Sequence, residues 1–166
     1  MSELLDFPTL SIATPTSDEL PAIASLVNSC WHETYDEHLP ATLCRERTEA
    51  VFNKLLKPRL GAASIARLGN RLVGYADNVS NCIDNLWVDS DYRRRRIGSR
   101  LLESQLGKLA GKQLQSAQAG CESFNEAAIG FYNHHGWQVL DETVENIEPG
   151  LNIGVIVYGV RFNESG

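Results

Sequence analysis

The stretch that most constrains the fold runs from Cys82 to Ala110. It joins a short apolar run, CIDNLWV, to the tract Arg93 to Arg96, and then to Ile97, Leu101, Leu102, Leu106 and Leu109 at helical spacing. The first run fits a strand, and the periodic leucines give a helix one apolar face, which Gly111 is placed to end. A strand that feeds a helix through a basic turn aims backbone N–H groups and the positive end of a helix dipole at one spot. The arginines add charge and donors there. By physics alone this is a cradle for a pyrophosphate. It is not a P-loop, because G-x-x-x-x-G-K-[ST] is missing, nor the dinucleotide fingerprint G-x-G-x-x-G.

Charge is segregated along the 166 residues, whose net charge is −6. Residues 1–50 carry nine acids against two bases, net −7; residues 51–112 carry twelve bases against five acids, net +7; residues 113–166 carry seven acids against Arg161, net −6. This argues for one local anion site and against nucleic-acid binding, which spreads basic charge over a face. With 43% hydrophobic content the chain suits one compact domain. No signal-peptide succession and no apolar run of membrane-spanning length is visible, so the expectation is a soluble cytoplasmic protein without membrane contact. Cys30, Cys44, Cys82 and Cys121 form no C-x-x-C pair and read as free thiols.

Coarse patterning predicts a strand over 8–14 and, after a capping box at Thr16 to Glu19, a helix over 18–31 bearing Leu20, Ile23, Val27 and Trp31. A second helix is expected over 41–57, closed by Pro58. Two β-like runs flank Gly69-Asn70 as a hairpin, and CIDNLWV follows. After the helix from Ile97 to Ala110 come a strand in LQSAQAGC, a short helix N-capped by Asn125 and ending at Gly136, and strands over 137–143 and 153–162. The order β, α, α, β, β, β, α, β, α, β, β indicates an α/β domain with a mixed sheet.

LWVDSDYRRRRIGSRLLE resembles the acetyl-CoA motif of the GNAT superfamily of N-acetyltransferases, a strand ending in L-x-V, a short turn, and [QR]-x-x-G-x-[GA] opening a helix. Arg93 takes the Q/R place, Arg96 the first glycine, Gly98 the second, and Ser99 the small residue after it. Asn125 followed by AIGFYNHHGW resembles the superfamily's N-x-x-A-x-x-F-Y-x-x-x-G-[FW]. CWHETYDEHLP is more loosely similar, so the likeness covers nearly the whole chain. The resemblance implies one acetyl-CoA-dependent domain over 1–166, with a mixed sheet of about six to seven strands, splayed in the middle between 82–88 and 114–121 and flanked by about four helices. It also implies that the backbone around Leu86, Trp87 and Val88 pairs with the pantetheine arm. Arg93, Arg94, Arg95, Arg96, Ile97, Gly98 and Ser99 would hold the pyrophosphate, and Asn125 and Tyr132 would face the thioester. An arginine in a glycine's place must swing its side chain outward.

The implied reaction is direct attack of a primary amine on the acetyl carbonyl, with Tyr132 as general acid. A phenol of pKa about 10 protonating a thiolate near 8.5 goes uphill by about 2 kcal/mol. An alkylamine near 10.4 is protonated at pH 7, and freeing it costs about 4.6 kcal/mol, so a base is needed. Asp84, on the strand beside the cleft, and Glu122, at the end of the next, are the candidates, with Asp84 preferred; without a bulge, alternation puts Asp84 on the face of Leu86 and Val88. Trp31 and Tyr35, flanked by Glu33, Asp36 and Glu37, suggest an aromatic and acidic mouth for a cationic acceptor, either a small molecule such as a polyamine or a peptide amine.

His134 and His135 diverge by about 100° on a helix, and His32 and His38 lack an H-E-x-x-H context, so no metal is assigned. The competing class is a non-catalytic acetyl-CoA-binding regulatory module, and a homodimer is admitted.

Overall fold

A computed structural model describes residues 8–162. Its elements are β1 (Leu10–Ala13), α1 (Leu20–Tyr35), α2 (Ala41–Glu46), α3 (Glu49–Leu56), β2 (Ser64–Leu68), β3 (Arg71–Val79), β4 (Cys82–Val88), α4 (Ile97–Gly111), β5 (Ser116–Glu122), α5 (Glu126–His134), β6 (Gln138–Glu148) and β7 (Leu151–Arg161). The seven strands form one mixed sheet in the order β1-β2-β3-β4-β5-β7-β6. This agrees with the expected α/β architecture; the helices number five among the described residues, where about four were expected.

The additional helix comes from a break that periodicity could not register. Over 41–57 the apolar spacing reads as one helix, but Arg47 is extended (φ −88°, ψ 101°) and Thr48 caps a new helix by accepting from the Val51 N–H at 3.3 Å. A threonine hydroxyl that satisfies a free N–H competes with continuing the helix. Helix α1 begins at Leu20 after a 3₁₀ turn, where Thr16 and Glu19 form the expected capping box, and it continues to Tyr35, four residues past the predicted end. Its last turn therefore carries Tyr35 on the helix rather than in a loop.

Strands β1 to β4 pair antiparallel, as do β5, β7 and β6, but the two halves meet through one parallel pair, Cys82 with Gln118. Beyond that pair β4 and β5 diverge, so the sheet is splayed toward Val88 and Glu122. Helices α1 and α3 cover one face of the first half, with Ile23, Val27, Phe52 and Leu56 against Ile65 and Tyr75. On the opposite face α4 spans both halves, placing Ile97 and Leu101 against Val73 and Ala76, and Leu102 and Leu109 against Ala117 and Ala119. The close approach of α4 requires glycine at position 74, since a Cβ there would lie 2.7 Å from Leu101 Cδ1. Truncating fully buried Leu101 to alanine removes packing against the first half worth about 2–5 kcal/mol.

Strand β4 carries a bulge. Asp77 pairs with Asn85 and Asn78 with Ile83, which leaves Asp84 as the extra residue. Ile83 then packs with Leu102 on the α4 side, whereas Asp84 and Asn85 both reach groups on the other face. The bulge that the alternation argument left open is thus present, and it sets Asp84 on the face opposite Leu86 and Val88.

Candidate active site

The basic turn lies where β4 ends, between a short 3₁₀ turn at Ser90–Tyr92 and the start of α4. Arg94 (φ 63°) and Arg96 (φ 61°) are both left-handed, so the two non-glycine residues hold the turn in a conformation usual for glycine. Arg96 is the N-cap of α4 and makes no side-chain cap hydrogen bond; the first bond inside the helix runs from Arg100 N to Arg96 O. The N–H groups of Ile97, Gly98 and Ser99 accordingly precede the first intrahelical donor, Arg100 N, and present a donor set suited to an anion. The donors this turn offers are backbone groups more than guanidinium groups. Arg93 donates to Glu33 Oε2 at 3.0 Å, Arg95 lies over the Tyr92 ring at 5.2 Å, and all four arginines are exposed.

The other predicted loop residues divide between ligand-facing and structural places. The Ile97 side chain is buried against β3, leaving its N–H as the group available to a ligand. Gly98 lies under α5, where a Cβ would come within 3.3 Å of Phe131 Cε2. Ser99 Oγ is 3.0 Å from His135 Nε2, and burial pushes that imidazole below its ordinary pKa, which favours the neutral ring. Leu86 and Val88 turn their side chains toward α4, while Trp87 packs toward α1. Their ladder partners are Ala76, Gly74 and Tyr75 of β3; on the other edge the ladder to β5 stops at Cys82, leaving main chain open to an extended ligand.

Asn125 caps α5, its Oδ1 accepting from Ala128 N at 3.2 Å. The capped helix carries Tyr132, 5% exposed and packed on Trp137, Tyr158 and Phe131 at centroid distances of 4.8, 5.9 and 5.2 Å. Burial raises the Tyr132 phenol above its ordinary value, so it is held protonated. Among the described residues, the one buried side-chain oxygen or nitrogen without a partner is Asn28 Oδ1. The Tyr132 hydroxyl enters no side-chain hydrogen bond among these residues.

On the α1 side the three predicted acceptor residues separate. Trp31 and Tyr35 stack at 4.8 Å on one stripe of the helix, with Arg47 over the Trp31 ring. Glu33 points the other way, to Arg93. Asp36 is taken by His32 Nδ1 at 2.6 Å, and Glu37 stays exposed. Tyr35 instead donates to Glu122 Oε1 at 2.7 Å, from the end of β5, and lies edge-on to Trp87 at 6.4 Å and to Phe124 at 5.8 Å. No spacing in the sequence links residues 35 and 122, and only the sheet order brings them together.

Asp84 is ion-paired with Arg59, as is buried Asp77, 3.6 Å from the same guanidinium. Asp77 also accepts from Tyr75 at 2.7 Å and from Asn85 at 3.0 Å, and Asn85 in turn accepts from the Trp87 indole at 2.9 Å. Burial leads the causes that raise the Asp77 carboxyl above its usual range. Sequence reasoning missed this network; the bulge that aims Asp84 and Asn85 together has no sequence signal of its own.

The chain matches the family described as Acetyltransferase (GNAT) over residues 20–137. Among solved structures, PaiA N-acetyltransferase from Thermoplasma acidophilum, in complex with coenzyme A, is 14% identical with a TM-score of 0.74, covering 93% of this chain and 99% of that one. YncA from Salmonella typhimurium, with its cofactor acetyl-CoA, is 15% identical with a TM-score of 0.71, covering 93% and 95%. Ribosomal-protein-alanine N-acetyltransferase from Brucella melitensis is 19% identical with a TM-score of 0.67, covering 92% and 99%. At such identities the likeness is one of fold. No curated protein matches the chain. The family match contains both the basic turn and the helix of Tyr132 and spans well over half of the sequence, so the chain belongs to the GNAT acetyltransferase family and is an acyltransferase.

Proposed function

We propose that this protein transfers the acetyl group of acetyl-CoA directly to a cationic primary amine, either a small molecule such as a polyamine or an amine of a peptide. The observation that carries the reading is the splay itself: β4 and β5 share one pair, and the free N–H groups at the start of α4 lie at the mouth of the gap. These donors, with Arg94 and Arg96, fit the pyrophosphate, and the open edge of Leu86 to Val88 fits the amide-bearing arm. Acetyl-CoA supplies an activated acyl carbon and a thiolate leaving group.

Transfer is direct because the buried thiols are poor nucleophiles. Burial pushes Cys121, beside Tyr132, up to about 12, with the charge of Glu122 adding, and burial likewise takes Cys30 to about 12. Tyr132 gives its proton to the departing sulfur. Its raised pKa makes that transfer more uphill than from a free phenol, so the proton moves as the C–S bond breaks. Asp84, held by Arg59, is poorly placed to act as base.

Four free cysteines support a reducing, cytoplasmic setting. Among the described residues no helix is long and apolar enough to cross a membrane. The test is release of CoA thiol with a panel of amines, peptides and aminoglycosides. The expected result is turnover with cationic primary amines; thiol release that ignores the amine supplied would overturn the reading.

A further inference from the structure

We infer that Glu122, positioned by Tyr35, receives the acceptor amine and takes the proton it loses, on the side of the splay opposite Tyr132. The inference rests on the acetyl-transfer reading above and assigns the proton acceptor that reading requires.

The strand places the residue. Along β5, Ala117, Ala119 and Cys121 are buried on the side of α4 and α5, so Gln118, Gly120 and Glu122 face the side of α1. Tyr35 reaches across from the last turn of α1, touching Trp87 of β4 on one lip of the splay and Glu122 and Phe124 on the other. The Tyr35–Glu122 hydrogen bond thus bridges the two lips on the α1 side, and Tyr132 stands on the α5 side. An acyl group lying between the strands would have the leaving sulfur toward one tyrosine and an incoming amine toward the other.

Charge singles out Glu122. Glu33 is bound to Arg93, Asp36 to His32, Asp84 and Asp77 to Arg59, and Asp89 to Arg71, while Glu37 and Glu145 are exposed. Glu122 is half-buried, and its partner is a phenol that burial keeps neutral. Its negative charge therefore has no cation beside it among the described residues, and Oε2 has no donor. A half-buried carboxylate with one oxygen fixed and one free, walled by Tyr35, Trp87 and Phe124, fits an ammonium by ion pairing and by the ring faces. The titratable groups around it are Tyr35 from α1, Glu145 from β6, which acts on Tyr35, and His38, stacked on Phe124 at 4.3 Å, while Cys121 lies on the opposite face of the strand.

The balance is complete. The bound ammonium yields one proton through Glu122 to solvent. The nitrogen lone pair then forms the C–N bond as the C–S bond breaks with its electron pair on sulfur, which Tyr132 protonates. The second proton lost by nitrogen passes to Glu122 and returns through solvent to the Tyr132 phenolate, leaving amide, thiol and one proton released.

The test compares wild type, Glu122→Gln and Tyr35→Phe with acetyl-CoA and two probes, 1,4-diaminobutane and the neutral aryl amine aniline. Glutamine still accepts from Tyr35, so the site keeps its shape; CoA affinity by calorimetry and the thermal midpoint should hold. The expected result is a loss of about 10² or more in kcat/KM for diaminobutane with Glu122→Gln, because general-base catalysis contributes about 10²–10⁴. Aniline, which arrives neutral and needs Glu122 only for the second proton, should lose less, and the diaminobutane pH profile should keep rising to higher pH in the variant. Tyr35→Phe should lower kcat/KM about tenfold through loss of positioning. Unchanged diaminobutane turnover in Glu122→Gln, or equal losses for both amines, overturns the inference alone. A wild type that binds CoA yet acetylates neither probe overturns the amine-acceptor reading beneath it.

Discussion

Two tyrosines stand on opposite sides of the splay and differ in what their hydroxyls do. Tyr132, on α5, is packed among rings and makes no side-chain hydrogen bond among the described residues, whereas Tyr35, on α1, gives its proton to a hydrogen bond with Glu122. Burial raises both phenols above their ordinary values, and for Tyr35 the charge of Glu122 adds to the rise. A hydroxyl without a side-chain partner can donate to a ligand; a committed one fixes its partner. The two phenols thus differ in what lies within hydrogen-bond reach, not in the direction in which burial moves them.

The largest effect expected from breaking this comparison is at Tyr132. Tyr132→Phe leaves the ring stack and CoA affinity within a few fold while lowering kcat by about 10²–10⁴, measured by thiol release. Equal kcat in the two proteins would reduce Tyr132 to the core residue its packing describes. Gly98→Glu is next: it places a side chain against Phe131 and a negative charge among the donors of α4. CoA affinity should fall by about 10² or more in calorimetry, a like-charge penalty of several kcal/mol at close range, with circular dichroism unchanged.

Glu33→Gln sharpens the contrast on the α1 side. It releases Arg93 toward the turn without touching Tyr35, so CoA affinity should tighten about two- to five-fold at low salt, and the gain should shrink as salt is raised. A rise in the amine KM, with CoA affinity unchanged, would return Glu33 to the acceptor mouth. The smallest effect concerns His32, whose ring bonds Asp36 and the Arg47 carbonyl and so ties α1 to the break before α3. Burial pulls its pKa down, but these two bonds outweigh it and leave the pKa raised. A folded-state pKa above the unfolded one gives stability that is full below the unfolded value near 6.5 and is lost as pH rises through the folded value. His32→Gln should therefore lower the thermal midpoint by about 2–4 °C at pH 5.5 and by much less at pH 9.

Much of the fold was legible because it rests on local rules. The capping box at Thr16, the hairpin at Gly69-Asn70, the helix face of Ile97 to Leu109 and the Asn125 cap are short-range patterns, and each appears where its residues stand. The second helix was misjudged because apolar spacing continues across Arg47 and Thr48, where one hydroxyl decides the break. The basic turn was legible in its charge, but not in the left-handed backbone of Arg94 and Arg96.

By itself the sequence determined the strand, turn and helix from Cys82 to Gly111, the helix of Tyr132, and through them the family. Those motifs are contiguous, so their chemistry depends on neighbours along the chain. The tertiary structure alone decided which carboxylates are free. Glu33 turned to Arg93 because helical geometry sets it away from the stripe of Trp31 and Tyr35, and Asp84 turned to Arg59 because a bulge reversed its face. Glu122 met Tyr35 because the sheet order brings the end of β5 beneath the end of α1. Ion pairing between residues far apart in sequence has no period to read, and it is set only when the strands find their order.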